Sequence, residues 1–310
     1  MTERKLNAFT VDVEDYFQVS AFEALFPREQ WGQVELRVDA GVRALLEIAA
    51  EAQVKGTFYI LGWLARQRPD LVRAIAEAGH EIGCHSLEHR LVYTMTPEAF
   101  RNDLRAALSA IRDACGVAST LYRAPSYSIT PASLWALDIL AEEGILIDSS
   151  IYPITHDRYG MSGAPLGPYR PLRHQPQFVE FPPSAVRLFG ANLPCAGGGY
   201  LRALPLALTR TAIRRINGVE GRAALVYVHP WELDPGQPRV PAKTLQNLRH
   251  RLNIGKTAGR LRLLLREFPF APLSTVLSGL GGPSVIPFQD LAPFKGLAGA
   301  GSAFDRTEKA

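Results

Sequence analysis

An α/β fold, with a parallel sheet wrapped by crossover helices, is what this sequence predicts, on three observations. From Leu6 to about Leu277, short runs of β-branched and aromatic residues alternate with amphipathic helical runs. Several of the strand-like runs carry a polar residue at or just past their C-terminal end, the end where chemistry collects in closed α/β barrels. A chain of 310 residues can also bury a full hydrophobic core without disulfides or metals to staple it.

In order along the chain, Ala8–Val13 reads as a first buried strand, and Val38–Ala50 as a helix with Val38, Val42, Leu45 and Ala49 on one face. Gly56–Ile60 is the next strand. A helix over Asp70–Ala78 stops at Gly79, and Thr96-Pro97 supplies an N-cap and a first-turn proline for a helix that buries Phe100, Leu104, Leu108 and Ile111. Thr130-Pro131 repeats that device before Leu134, Leu137 and Leu140, with Gly144 as the stop. Between these helices, His80–Cys84, Thr120–Arg123 and Ile145–Asp148 read as strands.

Residues from about Tyr152 to Arg222 break the rhythm with many Pro and Gly, a Phe178–Phe181 strand and a Gly197–Gly199 turn, and are expected to form an insertion on the catalytic face. Ala224–Val228 resumes the strands, followed by a helix over about Thr257–Glu267 and a last short strand near Leu273. The organisation expected is therefore one catalytic domain over 1–280, interrupted at about 152–222. Residues 281–310, rich in Gly, Pro and Ala without periodicity, are expected to be a loosely ordered tail.

Composition narrows the class further. With 47% hydrophobic and 21% charged residues the chain is neither disordered nor fibrous. The net charge of +4 comes without a long basic block, so no nucleic-acid partner is expected. The densest basic patch, Arg210, Arg214 and Arg215, lies on an apolar-periodic stretch with Leu204, Leu208, Ile213 and Ile216. That stretch reads as an ordinary surface helix, with peripheral contact to an anionic membrane as the alternative. Cys84, Cys115 and Cys195 match neither a zinc knuckle nor a disulfide framework, which points to a reducing compartment. Residues 1–7 lack the apolar core of a signal peptide, and no apolar run reaches membrane-spanning length. A cytoplasmic protein, with membrane association left open, is the expectation.

Chemistry concentrates at two places. His85 and His89 are four residues apart just after a strand, a spacing that brings two imidazoles onto one ion if the segment turns helically; neutral imidazole suits zinc and its neighbours. The plainer alternative is a surface turn with two solvated histidines. In the first strand, side-chain alternation points Asp12 and Glu14 to one side and Val11 and Val13 to the other. Two carboxylates on one side at a strand end are costly unless a cation or donors offset their repulsion. Glu14 and Asp15 could instead merely begin a solvated loop, a reading less open to Asp12 within its apolar strand.

Five elements in order resemble those of the polysaccharide deacetylase family, also called the NodB-homology or carbohydrate esterase family four group. Phe9-Thr-Val-Asp12 is similar to its Thr-Phe-Asp-Asp motif, and His85-Ser-Leu-Glu-His89 fits His-Ser-x-x-His in full. Arg123-Ala-Pro125-Ser-Tyr127 fits Arg-x-Pro, the Asp148-Ser149 strand end resembles the fourth motif, and Leu225–His229 the final Leu-x-x-x-His type. Within the family, the chain looks closest to the branch of allantoinase-like and peptidoglycan-deacetylase-like members. Val11–Phe17, Gly197–Arg202 and His229–Asp234 are similar to deacetylases associated with exosortase and exopolysaccharide gene clusters.

The resemblance implies a distorted (β/α) barrel of the NodB-homology type and a metal-dependent hydrolase that removes N-acetyl groups from an amino-sugar polymer. The substrate would be a polysaccharide or a lipid-linked oligosaccharide, in exopolysaccharide biosynthesis. It implies an Asp/His/His metal triad with a separate catalytic aspartate, the ion being zinc, or else cobalt or nickel. Where the family has adjacent aspartates this chain has Asp12-Val-Glu14-Asp15. Asp12 is then the general base. His85, His89 and Glu14 are the ligands, Glu14 by strand alternation and by similarity to an Asp-x-Asp variant, with Asp15 as its alternative. His229 would protonate the departing amine, Arg123 would hold Asp12 ionised, and Asp148 would hydrogen-bond His229. A backbone N–H near Tyr127 would help to polarise the oxyanion. Tyr16, Phe17, Tyr127 and Trp231 could stack on sugar faces, though core packing explains them equally. Two rival readings are an allantoinase-like hydrolase of a small amide or ureide, and a non-catalytic carbohydrate-binding relative.

Overall fold

The computed structural model describes residues 5–241 and 244–281, so most of the tail expected at 281–310 lies outside the described residues. Ten strands are found among the described residues: β1 Asn7–Val13, β2 Thr57–Ile60, β3 Glu81–Cys84, β4 Leu121–Tyr122, β5 Ile147–Asp148, β6 Val179–Glu180, β7 Ala185–Leu188, β8 Ala191–Pro194, β9 Leu225–Val228 and β10 Phe270–Ala271. Eight of them form one sheet in the order β10-β1-β2-β3-β4-β5-β6, with β9 also pairing β1, and β7 and β8 form a separate hairpin. Every pairing within the large sheet is parallel, as crossover helices require. The sheet curls into a half-barrel clothed in helices. Toward the gap between β6 and β9, Gly197 bridges in parallel to Tyr227 of β9.

Alternation along the strands sorts side chains into two layers. Phe9, Val11 and Val13 of β1 and Phe58 of β2 point outward and pack under Val42, Leu45 and Ile48 of helix Val38–Glu51. Ala8 of β1, Tyr59 of β2, Leu121 of β4, Ile147 of β5 and Tyr227 of β9 fill the inside of the curl. Asp12 belongs to the inward set by the same period of two.

The expected helices form with small shifts at their ends. Helix Pro97–Cys115 starts where the Thr96 side chain accepts from the Ala99 amide at 3.2 Å and stops at Gly116, which takes the left-handed φ of 76°. The stretch after Thr130 is a 3-10 turn, Pro131–Ser133, and then helix Trp135–Glu142, because Thr130 and Ser133 cap each other's backbone and close the first turn tightly. At the C-terminal end, the last strand is Phe270–Ala271; Leu273 opens helix Leu273–Ser278 instead, with Pro272 as its N-cap.

The 152–222 segment does more than interrupt the sheet. It supplies β6 to the main sheet, the β7–β8 hairpin, and helices Gly198–Ala203 and Leu206–Gly218. Ile213 and Ile216 of the latter are fully buried in the core, Arg210 and Arg214 both pair with Glu267, and Arg215 pairs with Glu220. Of the apolar stripe that suggested membrane contact, Ile213 and Ile216 are used for packing while Leu208 stays exposed, and its arginines face carboxylates. No helix among the described residues is long and apolar enough to cross a membrane.

Two close backbone approaches hold the upper rim in place. A Cβ on Gly41 would lie 2.1 Å from the Pro230 carbonyl oxygen, so helix Val38–Glu51 presses directly on the turn Pro230–Leu233. A Cβ on Gly197 would lie 2.1 Å from the Tyr227 ring, which lets the chain entering helix Gly198–Ala203 run against β9.

Candidate metal-centred active site

All parallel strands end on one rim, and five of them deliver polar groups there: Asp12 from β1 and Glu14 just after it, His85 and His89 after β3, Arg123 after β4, Asp148 from β5 and His229 after β9. A cavity of 220 Å³ opens among Asp12, Glu14, His85, His89, Tyr127, His229 and Trp231, with Val19–Ala21, Ser126 and Arg158 at its mouth.

Glu14, His85 and His89 form a buried group whose ligand atoms all lie within 4.8 Å of one another. The two imidazoles do not share a helical turn. The chain after β3 bends through two left-handed residues, Ser86 at φ 66° and His89 at φ 54°, and the Ser86 hydroxyl accepts the His89 amide at 3.1 Å. Non-glycine residues in that region store strain, a feature that concentrates at functional sites. Asp103, from helix Pro97–Cys115, steadies the same bend by accepting the Leu87 amide at 3.0 Å.

The donor set fits a divalent cation. His85 Nδ1 sits 2.8 Å from the Arg123 carbonyl and donates its N–H to it, which leaves Nε2 free as a ligand. Burial pushes the His85 imidazole down to about 4, so it is neutral at pH 7. Glu14 Oε2 is buried without a hydrogen-bond donor although His89 Nε2 lies 2.7 Å away. An orphaned carboxylate oxygen facing two imidazoles is costly in a protein interior and is satisfied by a shared positive ion. Burial works against the charged form of Glu14, yet His89, His229 and His85 together hold it well below the ordinary carboxylate range.

Asp12 is anchored from the barrel interior. Arg123, fully buried, donates to Asp12 Oδ1 at 2.6 Å, to Thr10 Oγ1 at 2.9 Å and to Ser149 Oγ at 2.9 Å, and its guanidinium stacks 4.2 Å from the Tyr59 ring centre. The other carboxylate oxygen faces the cavity, 3.8 Å from His229 Nε2.

His229 takes a partner not expected from the sequence. Its Nδ1 lies 3.2 Å from Glu232 Oε2, and the same oxygen accepts the His229 backbone amide at 3.0 Å. Glu232 Oε1 accepts from Arg202 Nε at 2.6 Å. Burial disfavours the imidazolium, but Glu232, Glu14 and Asp12 outweigh it and raise His229 to about 9. The one sequence signal for Glu232 is its spacing, three residues beyond His229 across a turn that begins with Pro230. Arg202 lies 30 residues before Glu232 and has no local signal.

Four expectations need correction. Asp15 does not join the ligand group: its carboxylate accepts the backbone amides of Tyr16, Arg37 and Val38 at 2.7, 2.6 and 2.8 Å, so it caps the start of helix Val38–Glu51. Asp148 does not reach His229 but bonds Ser150 and faces Glu180, and burial raises both carboxyls. The Tyr127 amide closes its own 3-10 turn by donating to the Ala124 carbonyl at 3.0 Å. The aromatic platform is also smaller than expected. His229 and His250 both stack on Trp231, with ring centres 5.2 and 4.2 Å away, and its Nε1 donates to Glu14 Oε1 at 3.1 Å. It lines the cavity and orients Glu14. Tyr16 and Phe17 pack in a buried aromatic cluster with Phe22 and Trp31. Tyr127 does line the cavity, with its ring against Tyr152 and Tyr227.

Comparison with known proteins agrees with this arrangement. Residues 32–141, which carry His85, His89 and Arg123, match the model of the polysaccharide deacetylases. That match, about a third of the chain, makes this segment similar to the polysaccharide deacetylase family. Residues 149–278 match a second model, a domain of unknown function (DUF3473), and carry His229, Glu232 and Arg202. A chitooligosaccharide deacetylase of Bradyrhizobium sp. (strain ANU 289) is 28% identical over 97 residues, 31% of this chain and 42% of that protein. One from Rhizobium leguminosarum bv. trifolii is 34% identical over 71 residues, 23% of this chain and 33% of that protein. The chain thus spans less than half the length of these curated relatives. A Mycobacterium smegmatis protein, described as a polysaccharide deacetylase, superposes with a TM-score of 0.62 at 22% identity over 93% of this chain and 94% of that one. At that identity the likeness shows the fold, the NodB-type (β/α) barrel.

Proposed function

We propose that this chain is a metal-dependent deacetylase that hydrolyses N-acetyl groups of an amino-sugar polymer. The observation that carries the reading is the convergence, in one buried cavity, of Glu14, whose Oε2 lacks a hydrogen-bond donor, with two imidazoles, beside the Asp12–Arg123 pair and opposite His229. The family match and the activity named for the rhizobial relatives support it. A divalent ion held by Glu14, His85 and His89, zinc or else cobalt or nickel, would polarise the acetyl carbonyl and acidify a water molecule.

The rest of the chemistry falls to side chains. Asp12, oriented by Arg123, takes the proton as water oxygen bonds to the acetyl carbon. The carbon–nitrogen bond then breaks, and His229 Nε2 delivers a proton to the departing amine, leaving acetate and a free amino sugar. A histidine raised to about 9 is protonated at neutral pH and suits that role. Tyr127 would form the cavity wall beside the bound sugar, and Arg158 its mouth.

The resemblance of Val11–Phe17, Gly197–Arg202 and His229–Asp234 to exosortase-associated deacetylases supports a role in exopolysaccharide biosynthesis, on a polysaccharide or its lipid-linked precursor, in the cytoplasm. Residues 152–222 are read as part of the one catalytic domain, since they supply Arg158 at the mouth and Arg202 behind His229.

Acetate release from N-acetylated chito-oligosaccharide by the zinc-loaded chain tests the proposal. Release that stops with a chelator and returns with zinc is expected. Turnover of allantoin without turnover of the oligosaccharide would instead favour the small-ureide reading, and tight sugar binding with no release would favour a non-catalytic one.

A further inference from the structure

Behind the rim, the second half of the chain builds a buried polar relay that the metal chemistry does not itself require. Glu232, fully buried, divides its two oxygens, Oε2 to His229 and Oε1 to Arg202. Arg202 is in turn rooted at the end of helix Thr244–Arg251, where its Nη1 donates to the carbonyls of His250, Leu252 and Arg249 at 2.7, 3.0 and 3.2 Å. Carbonyls at a helix C-terminus lack intrahelical partners and carry the negative end of the helix dipole, so a guanidinium is well held there. The same guanidinium lies 5.0 Å from the Trp231 ring centre, and Trp231 holds Glu14.

We infer that Glu232, clamped by Arg202, is the positioning residue that fixes the ring orientation and tautomer of His229, the task expected of Asp148. The inference rests on the deacetylase reading for its kinetic consequence but not for its geometry. A carboxylate that accepts from Nδ1 forces the other ring nitrogen, Nε2, toward Asp12 and Glu14, at 3.8 and 3.6 Å. Without that acceptor the ring can rotate, and Nε2 is no longer held where it can pass a proton to the amine. Arg202 sets which oxygen Glu232 offers, since guanidinium groups only donate.

Glu232→Gln separates this role from a structural one. Its amide oxygen stays with Arg202, which turns the amide NH2 toward His229 Nδ1 and makes that nitrogen an acceptor. Hydrolysis of an N-acetyl amide, whose leaving group must be protonated, should fall by about 10²-fold. Hydrolysis of p-nitrophenyl acetate, whose leaving group departs unprotonated, should stay near the wild-type rate. Arg202→Met should move the amide-to-ester ratio the same way by less. Independently, 15N resonances of His229 in the metal-stripped chain should show Nδ1–H in the wild type and its loss in Glu232→Gln and Glu232→Ala. An unchanged ratio together with an unchanged His229 tautomer in both Glu232 variants overturns the inference. Wild-type protein that hydrolyses no acetamide would count against the deacetylase reading alone, and the resonance measurement would still decide this one.

Discussion

Asp12→Asn is expected to lower kcat on N-acetylated chito-oligosaccharide by about 10²–10⁴-fold, the range typical for losing a general base, while bound metal remains at the wild-type level. Asparagine keeps the shape of the side chain and an oxygen for Arg123, which approaches Asp12 Oδ1 at 2.6 Å. It cannot take a proton from water. Because Glu14, His85 and His89 form the ligand group without Asp12, metal content measured on the purified variant should not change. A variant that loses metal along with activity would show that Asp12 is a ligand, and the division of labour within β1 would have to be redrawn.

Arg123→Met is expected to have the largest effect on stability, lowering the unfolding free energy by about 3–5 kcal/mol, the cost of leaving one partner of a buried ion pair alone. Arg123 is completely enclosed and bridges β1 to the chain after β5 through Asp12, Thr10 and Ser149. Methionine fills part of the volume and packs on Tyr59, but Asp12 then loses its buried guanidinium partner and keeps only the His229 imidazole at 3.8 Å. Urea denaturation of wild type, Arg123→Met, Asp12→Asn and the double variant reads this directly. The double variant should be less destabilised than the sum of the singles, since removing the charge from both partners leaves nothing unpaired. Strict additivity would mean that the pair is not coupled.

The order of the strand-end residues makes the core of the site legible in the sequence itself. Asp12, His85, Arg123 and His229 each lie at the end of a strand-like run, with His89 four residues beyond His85, and in a parallel sheet such ends must share a rim. What stays illegible depends on contacts between segments far apart in sequence. Glu14 and Asp15 are neighbours and look equivalent, but Asp15 is drawn to amides at a helix start 22 and 23 residues away. Strand alternation favours Glu14; it cannot reveal the cap. Asp148 is expected beside His229 by resemblance to the family, yet β5 turns its carboxylate toward Glu180 on the adjacent strand, and Glu232 occupies the place beside His229. Trp231 shows the limit of reading aromatics near a site: a ring face is available to a sugar only if no neighbour covers it, and His250, 19 residues later in the sequence, stacks on one.

Zinc-edge anomalous diffraction from crystals of the zinc-loaded chain tests the metal centre most directly. A single strong peak is predicted, bound by Glu14, His85 Nε2 and His89 Nε2, with His85 Nδ1 still on the Arg123 carbonyl and Asp12 outside bonding distance. A peak ligated by Asp15 or Asp12 in place of Glu14, or a site that stays empty at saturating zinc, would contradict this assignment.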